Sequence, residues 1–350
     1  MTGKQSIRFF LGANSARGFY SLYDGFTNPA AGDFLWVIKG GPGCGKSTFM
    51  KRVGHASEEA GLTVEYIHCS GDPESLDGIY IKEAHLGYVD GTAPHAQECI
   101  LPGAGGMYLD LGAFYKPEPL IRSRDRLLEL NRAYKGRYKR AYGLLQAAEQ
   151  VRPTAAEETG EAVRRRAEAV GRRYIPAGAG SGEKQRFLSA ISCRGRVCLW
   201  ESAEILCPRI CTLDNELGLA GLFLEELRRY CRLQGQPVIL CPDPLEPSRA
   251  EALLIPGAGL AFAAVERDRP WPGNVWRHLR LDAMAGGDAL RRSRGAKRMY
   301  TQLMDLATEE LTAAKALHDE LEAVYNPHVD FAAQRELCEL HIDHLLGRME

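Results

Sequence analysis

The chain has 350 residues, of which 45% are hydrophobic and 25% charged, a globular composition that excludes collagen-like, rod-like and disordered proteins. Its 44 basic and 45 acidic residues give a net charge of −1, so the overall charge points to no particular partner. The longest apolar runs are shorter than the ~18 residues of a spanning helix, and the N-terminus lacks the apolar core of a signal peptide. We therefore expect a cytoplasmic protein without a membrane partner.

The first predicted elements are a strand, a glycine-rich loop and a helix. Residues 33–39 form a buried-strand pattern, and a helical pattern continues to about residue 60. Between them the sequence matches G-x-x-x-x-G-K-S, whose backbone N–H groups hold phosphate oxygens at the start of a helix. This glycine-rich loop, residues 40–48, consists of Gly40, Gly41, Pro42, Gly43, Cys44, Gly45, Lys46, Ser47 and Thr48. Lys46 is predicted to bind the β- and γ-phosphates and Ser47 to ligate Mg²⁺.

Three polar residues follow later strands and are predicted to lie at the same sheet edge. A strand pattern over residues 84–89 ends at Asp90, the place of the carboxylate that completes a Mg²⁺–nucleotide site. Asp72 and His95 lie in loops where ligands of open α/β sheets bind, and could orient water or a second substrate. Each of the three can instead be an ordinary loop or turn residue. The guanine-specific pattern N-K-x-D does not occur, which leaves ATP as the expected nucleotide.

Two helical segments carry opposite charges. Residues 116–173 contain 15 basic and 8 acidic residues, and residues 301–350 contain 3 basic and 11 acidic. Opposite charges predict that these segments meet, although a basic arm can also bind nucleic acid. Tyr134, Tyr138 and Tyr142 share one helix face, which predicts the seam of a helical hairpin or, alternatively, a stacking surface for single strands.

The alternation of α/β and helical segments predicts an internal duplication. Its parts are an α/β domain at residues 1–116, a basic helical hairpin at 117–171, a second α/β domain at 172–284 and an acidic helical segment at 285–350. The sequence alignment of the halves sets residues 8–10 against residues 173–175.

In this alignment the glycine-rich loop falls on residues 213–220. Leu219 and Ala220 take the places of the lysine and serine, and Asp214 and Glu216 add negative charge. The second loop is therefore predicted not to bind nucleotide.

Two further patterns have competing interpretations. Residues 178–186 resemble the signature of ABC-type ATPases, which would make the basic helices an insert in one split ATPase domain. Cysteines cluster over residues 193–211 without the paired CxxC spacing of a strong zinc site, so they are expected to be small buried side chains rather than metal ligands. The cluster consists of Cys193, Cys198, Cys207 and Cys211.

The glycine-rich loop, the run Cys-Ser-Gly-Asp-Pro-Glu-Ser-Leu-Asp-Gly (69–78) and the run Asp-Gly-Thr-Ala-Pro-His (90–95) together resemble one bacterial family. It is an uncharacterised family of tandem P-loop ATPases, and residues 318–322 and 326–328 resemble it as well. The resemblance implies a P-loop NTPase fold, a parallel sheet flanked by helices, duplicated and with a helical hairpin after each copy. Members can carry a loop of this kind in each half, whereas here only the first is intact.

Together these observations indicate a Mg²⁺-dependent ATP hydrolase that drives or switches an interaction with a partner. A small-molecule kinase, with its acceptor near Asp72 and His95, is one alternative. A nucleic-acid-dependent ATPase that uses the basic hairpin is the other.

Overall fold

Two six-stranded sheets and the helices around them form the protein in the computed structural model, which describes residues 6–93, 97–180, 182–347 and 349. The elements of the first half are β1 (Ile7–Phe10), β2 (Gly12–Ser15), β3 (Gly18–Ser21), β4 (Phe34–Lys39), α1 (Lys46–Glu59), β5 (Val64–His68), β6 (Leu76–Ile81), β7 (Leu86–Asp90), β8 (Gly106–Asp110), α2 (Pro117–Arg122), α3 (Arg124–Val151) and α4 (Ala156–Tyr174). Those of the second half are β9 (Glu183–Gln185), β10 (Ser189–Ser192), β11 (Gly195–Cys198), α5 (Trp200–Leu206), β12 (Arg209–Asp214), α6 (Ala220–Leu233), β13 (Val238–Pro242), β14 (Ala250–Ile255), β15 (Leu260–Val265), β16 (Arg277–Leu279), α7 (Gly286–Arg292), α8 (Arg294–Tyr325) and α9 (Phe331–Gly347).

The two sheets have the same strand order. The first runs β1-β5-β6-β7-β4-β8 and the second β9-β13-β14-β15-β12-β16. Neighbouring strands are parallel except at β6 and β14, each of which runs antiparallel to both of its neighbours. The expected α/β class is confirmed, but the expected parallel sheet is only parallel-rich, because each sheet contains one antiparallel strand.

The second half begins later than the sequence alignment predicts. Arg173 and Tyr174 end helix α4, and β9 takes the edge position that β1 has in the first sheet. Phe10 and Phe187 exchange backbone hydrogen bonds of 2.9 Å in both directions, which sets these two residues against each other. From them, residues 10–18 and 187–195 share Phe, Leu, Ala, Ser, Arg and Gly at six matching positions. The interpretation as one split ATPase domain is wrong, because residues 183–185 begin a second sheet.

Each sheet buries one face under helices and the other face against the second sheet. Because side chains alternate along a strand, neighbouring residues of β4 enter different cores. Ile38 packs with Phe49 and Val53 of α1, whereas Val37 joins a core shared between the sheets. On the far side, α4 and α6 cover the outer face of the second sheet. The shared core includes Phe9, Leu11, Val37, Ile67, Val89, Leu188, Ala252, Leu254 and Ala263.

The helices of each predicted hairpin, α3 and α4 (the first hairpin) and α8 and α9 (the second hairpin), do not pack along each other, and each pair lies instead on the other half. Helix α4, which ends the first half, packs against α6 of the second, and α9 packs against α1 of the first. Between these contacts α3 and α8 lie along each other. The prediction that the oppositely charged segments meet is confirmed, since Arg137 and Arg140 bind Glu310 at 3.2 and 3.0 Å, and Arg126 binds Glu320 at 2.6 Å.

The tyrosine stripe lies in the seam of this helix pair. Tyr138 and Tyr142 pack beside Leu311 and Ala307 of α8, and Tyr134 contacts the ring of His318. The stripe therefore lies in a helical seam, but this seam joins α3 to α8 and is not within the predicted hairpin of residues 117–171.

Two members of the cysteine cluster match its interpretation as small buried side chains, whereas Cys193 and Cys198 are partly exposed. Cys207 and Cys211 are fully buried, and burial raises their thiol pKa to about 11 and about 12. Among the described residues, the group with a metal-like arrangement is instead His318, Asp319 and Glu322 on α8. No helix in the described part of the chain is long and apolar enough to cross a membrane.

A buried charge cluster fixes the first hairpin to the second half. Asp243, which is 5% exposed, accepts from Arg152 at 2.5 Å and lies 3.6 Å from Arg196. Burial opposes ionisation of Asp243, but the two guanidinium groups outweigh it and hold the carboxyl pKa below its ordinary value. Arg196 also binds Glu251 at 2.7 Å.

We expect Asp243→Asn to destabilise the protein by about 3 kcal/mol, because it removes the shorter of the two carboxylate contacts of the buried Arg152 and leaves only Glu149 at 3.4 Å. Chemical denaturation at pH 7 measures the change. The control is Asp288→Asn, which breaks an exposed pair with Arg291 and should cost less than about 1 kcal/mol. Because the pKa of Asp243 is lowered in the folded protein, its carboxylate stabilises the fold fully above pH ~4 and progressively less below it. The difference in free energy of unfolding between wild type and the variant should therefore become smaller in acid. A difference that stays constant down to pH 3 would contradict this account.

Candidate functional site

The glycine-rich loop turns from the end of β4 into the start of α1 through glycines. Gly43 and Gly45 have φ values of +69° and +80°, in the left-handed region that favours glycine. A Cβ on Gly40 would lie 2.5 Å from the Cys44 sulfur, and one on Gly45 would lie 2.9 Å from the amide of Gln334. The pattern of glycines in the sequence is therefore what allows this tight loop.

Lys46 and Asp90 come together beside the loop. Asp90 ends β7, which pairs in parallel with β4, so both elements end at one edge of the sheet. The Lys46 ammonium donates to the carbonyls of Gly40 and Gly41 at 2.8 and 2.9 Å and lies 3.7 Å from the Asp90 carboxylate. The other Asp90 oxygen accepts from the backbone N–H and hydroxyl of Thr92 at 2.8 and 2.6 Å. The two side chains are 12% and 13% exposed, so the pair is mostly shielded from water.

Ser47 and Asp72 lie on the same side of the sheet. The Ser47 hydroxyl accepts from the backbone N–H of Leu76 at 2.9 Å, which brings the loop after β5 to the first turn of α1. Asp72, in that loop, accepts from the Ser75 hydroxyl at 3.0 Å and lies 3.5 Å from the ammonium of Lys315. Thr48 is exposed, and His95 lies outside the described residues.

The second hairpin closes over the loop. Gly43 N–H donates to a carboxylate oxygen of Glu322 at 3.3 Å, and the amide of Gln334 donates to the Cys44 carbonyl at 2.7 Å. Asn326, with its amide oriented to satisfy both groups, donates to the Gly43 carbonyl at 2.8 Å. The sequence motifs assign no role to these residues; the family resemblance of residues 318–322 and 326–328 was the signal that marked their segment.

The second loop has the same position but different residues. It is one residue shorter than the first, because five residues separate β12 from α6 whereas six separate β4 from α1. As a result Ala220, not Leu219, begins its helix where Lys46 begins α1, and Leu219 takes the place of Gly45. Neither alignment gives the second loop a lysine or a hydroxyl at these positions.

A carboxylate from within the second half fills this loop. Asp282, which is 3% exposed, accepts from the backbone N–H groups of Glu216 and Leu217 at 2.8 and 3.0 Å. The strand registers put Gly112 at the equivalent place in the first half, where no side chain can do the same. Burial, together with the nearby charge of Asp214, raises the pKa of Asp282 to about 6.

Comparison with models of protein families, with curated proteins and with solved structures found no match to this chain. What the site can do must therefore be judged from its own residues. It combines backbone N–H groups at a helix start, an ammonium, a hydroxyl and a carboxylate. Such a set suits a phosphorylated ligand with a hard cation such as Mg²⁺.

We expect the pH dependence of stability to change in Asp282→Asn. With a pKa raised to about 6, folded wild type binds more protons than unfolded wild type between pH ~4 and ~6, so this group lowers stability as pH rises. The asparagine variant lacks this titration. As pH rises over that range, its free energy of unfolding should increase relative to that of wild type by up to about 2 kcal/mol. Denaturation curves at pH 4, 5, 6 and 7 measure it. A constant difference between the two proteins would show that Asp282 titrates normally.

Proposed function

We propose that the protein binds Mg-ATP at the glycine-rich loop of the first half and hydrolyses it to switch its interaction with a partner. The observation that carries this proposal is the meeting of Lys46 and Asp90 beside a glycine-shaped loop that leads into a helix. A glycine-rich turn formed only for its shape has no need of a carboxylate 3.7 Å from its lysine.

Each residue has a proposed role. The loop N–H groups and the start of α1 hold the phosphate oxygens. Lys46, on giving up the Gly40 and Gly41 carbonyls, neutralises charge on the β- and γ-phosphates. Ser47 and Asp90 offer the oxygen donors that Mg²⁺ prefers, directly or through water. Attack of water on the γ-phosphate would break its bond to the β–γ bridging oxygen and release ADP and inorganic phosphate. Asp72, in the loop that Ser47 contacts, is the residue proposed to orient that water.

We further propose that both halves descend from one P-loop NTPase domain by duplication. The identical strand orders and the six matching residues around Phe10 and Phe187 support this origin. So does the resemblance of the sequence motifs to tandem P-loop ATPases. The second site is then a former nucleotide site whose loop is occupied by Asp282.

Hydrolysis is preferred to the nucleic-acid-dependent alternative on specific contacts, whereas the pairing of Asp72 with Lys315 bears equally on hydrolysis and on a kinase. Arg126, Arg137 and Arg140 of the basic hairpin are paired with acidic residues of α8, which argues against their use for nucleic acid. Turnover measured alone, with a metabolite panel and with polynucleotides distinguishes the three activities.

Lys46→Ala should abolish Mg-ATP binding, because it removes the cation that faces the phosphates. Equilibrium dialysis with labelled ATP should find one nucleotide per wild-type chain and none per variant chain. The matched control is Lys51→Ala, which removes an exposed lysine of the same helix that donates to the Glu74 carbonyl. Full binding by a folded Lys46→Ala protein would contradict the assigned site. Binding of nearly two nucleotides per wild-type chain would contradict the prediction that the second loop, filled by Asp282, does not bind nucleotide.

Asp90→Asn should weaken ATP binding in the presence of Mg²⁺ more than in its absence. The amide keeps the shape of the side chain but removes the charge that attracts the ion. Titrations of ATP with Mg²⁺ and with EDTA, on wild type and variant, give the comparison. Equal losses under both conditions would make Asp90 a structural partner of Lys46 and Thr92.

A further inference from the structure

In both halves a carboxylate accepts a hydrogen bond from a loop N–H group, but the two contacts differ in strength. In the second half Asp282 makes two short bonds and is almost fully buried. In the first half Glu322 makes one bond of 3.3 Å, and its side chain is 37% exposed. A buried two-bond contact is costly to break, whereas an exposed single bond is easily exchanged.

The Glu322 carboxylate accepts from a backbone N–H group that a phosphate oxygen would also use. The Gly43 N–H belongs to the loop proposed to hold phosphate oxygens, yet it already donates to the Glu322 carboxylate, and one N–H cannot donate fully to both. Like charges add to this conflict, since a triphosphate brings about four negative charges next to the carboxylate. Nucleotide and Glu322 therefore compete for the loop.

We propose that Glu322 is a removable latch on the nucleotide site, so that ATP binding displaces its carboxylate from the Gly43 N–H and loosens the end of α8 at the loop. The Asn326 and Gln334 contacts with the loop carbonyls do not compete with phosphate and remain. This inference rests on the proposed function. The carboxylate mimics a phosphate oxygen in the nucleotide-free protein and is displaced when the triphosphate arrives.

Helix α8, which carries Glu322, also contacts other parts of both halves. Glu322 lies near the end of α8, one turn before the Asn326 contact with Gly43. Seven residues earlier on the same helix, Lys315 binds Asp72 beside the proposed site of water attack. Because α8 lies along α3, whose hairpin covers the second half, a shift of α8 reaches both halves. The position of the second hairpin would thus differ between the nucleotide-free and the nucleotide-bound protein.

The test compares Mg-ATP affinity of wild type, Glu322→Gln and the control Glu320→Gln by calorimetry at fixed ionic strength. Both variants remove one negative charge from α8, but Glu320 binds Arg126 and is away from the loop. Glu322→Gln should bind Mg-ATP about tenfold more tightly than wild type, as expected for loss of a charged competitor, and Glu320→Gln should match wild type. In wild type, ATP should also increase hydrogen exchange of residues 318–326.

The outcomes separate the latch from the proposed function. Normal ATP binding by wild type with unchanged or weaker binding by Glu322→Gln overturns the latch and leaves the nucleotide site standing. An equal gain in both variants overturns it as well, because the effect would then be one of general charge. If ATP binding leaves the hydrogen exchange of residues 318–326 unchanged, the latch is overturned too. Absence of ATP binding by wild type overturns the proposed function and the latch together.

Discussion

The arrangement depends on the burial of one face of each sheet against the other. Helix α1 or α6 covers only one face of its sheet, so the opposite apolar face, with side chains such as Val37 and Leu254, must find other cover. Exposure of a face of that size is unfavourable, since each buried aliphatic side chain contributes roughly 1.5–3 kcal/mol. The two halves therefore share one core, and the reciprocal backbone hydrogen bonds of Phe10 and Phe187 lie where the halves meet.

Once the sheets are back to back, each hairpin ends on the opposite half. The chain thereby supplies its glycine-rich loop from one half and the residues that close it from the other. The contacts of the two hairpins are similar in kind but unequal in strength. In the first half Lys315 binds Asp72 at a partly exposed position, whereas in the second Arg152 binds Asp243 in a buried one.

This inequality fits two different roles. The second loop is filled by Asp282, and the second half also contains the buried ion pairs of Arg196 with Asp243 and Glu251. The first loop is contacted by Glu322, Asn326 and Gln334, and of these the Glu322 bond is long and partly exposed. Under the proposed function the lysine, hydroxyl and carboxylate of the first loop would serve a Mg²⁺-bound triphosphate. The first half would then carry the element that changes state and the second half its support.

The sequence by itself determined the local parts of the site, because strand, glycine-rich loop and helix are contiguous and their residues act on their own backbone. It also placed Asp90 at the loop, since parallel strands end at one sheet edge. Only the tertiary structure decided the start of the second repeat, because the three-residue edge strand β9 is largely polar and carries no apolar pattern. It alone brought Glu322 and Gln334 to the loop and Asp282 to its counterpart. Those contacts arise between residues far apart in the chain, and their geometry exists only after the sheets have paired and the hairpins have crossed.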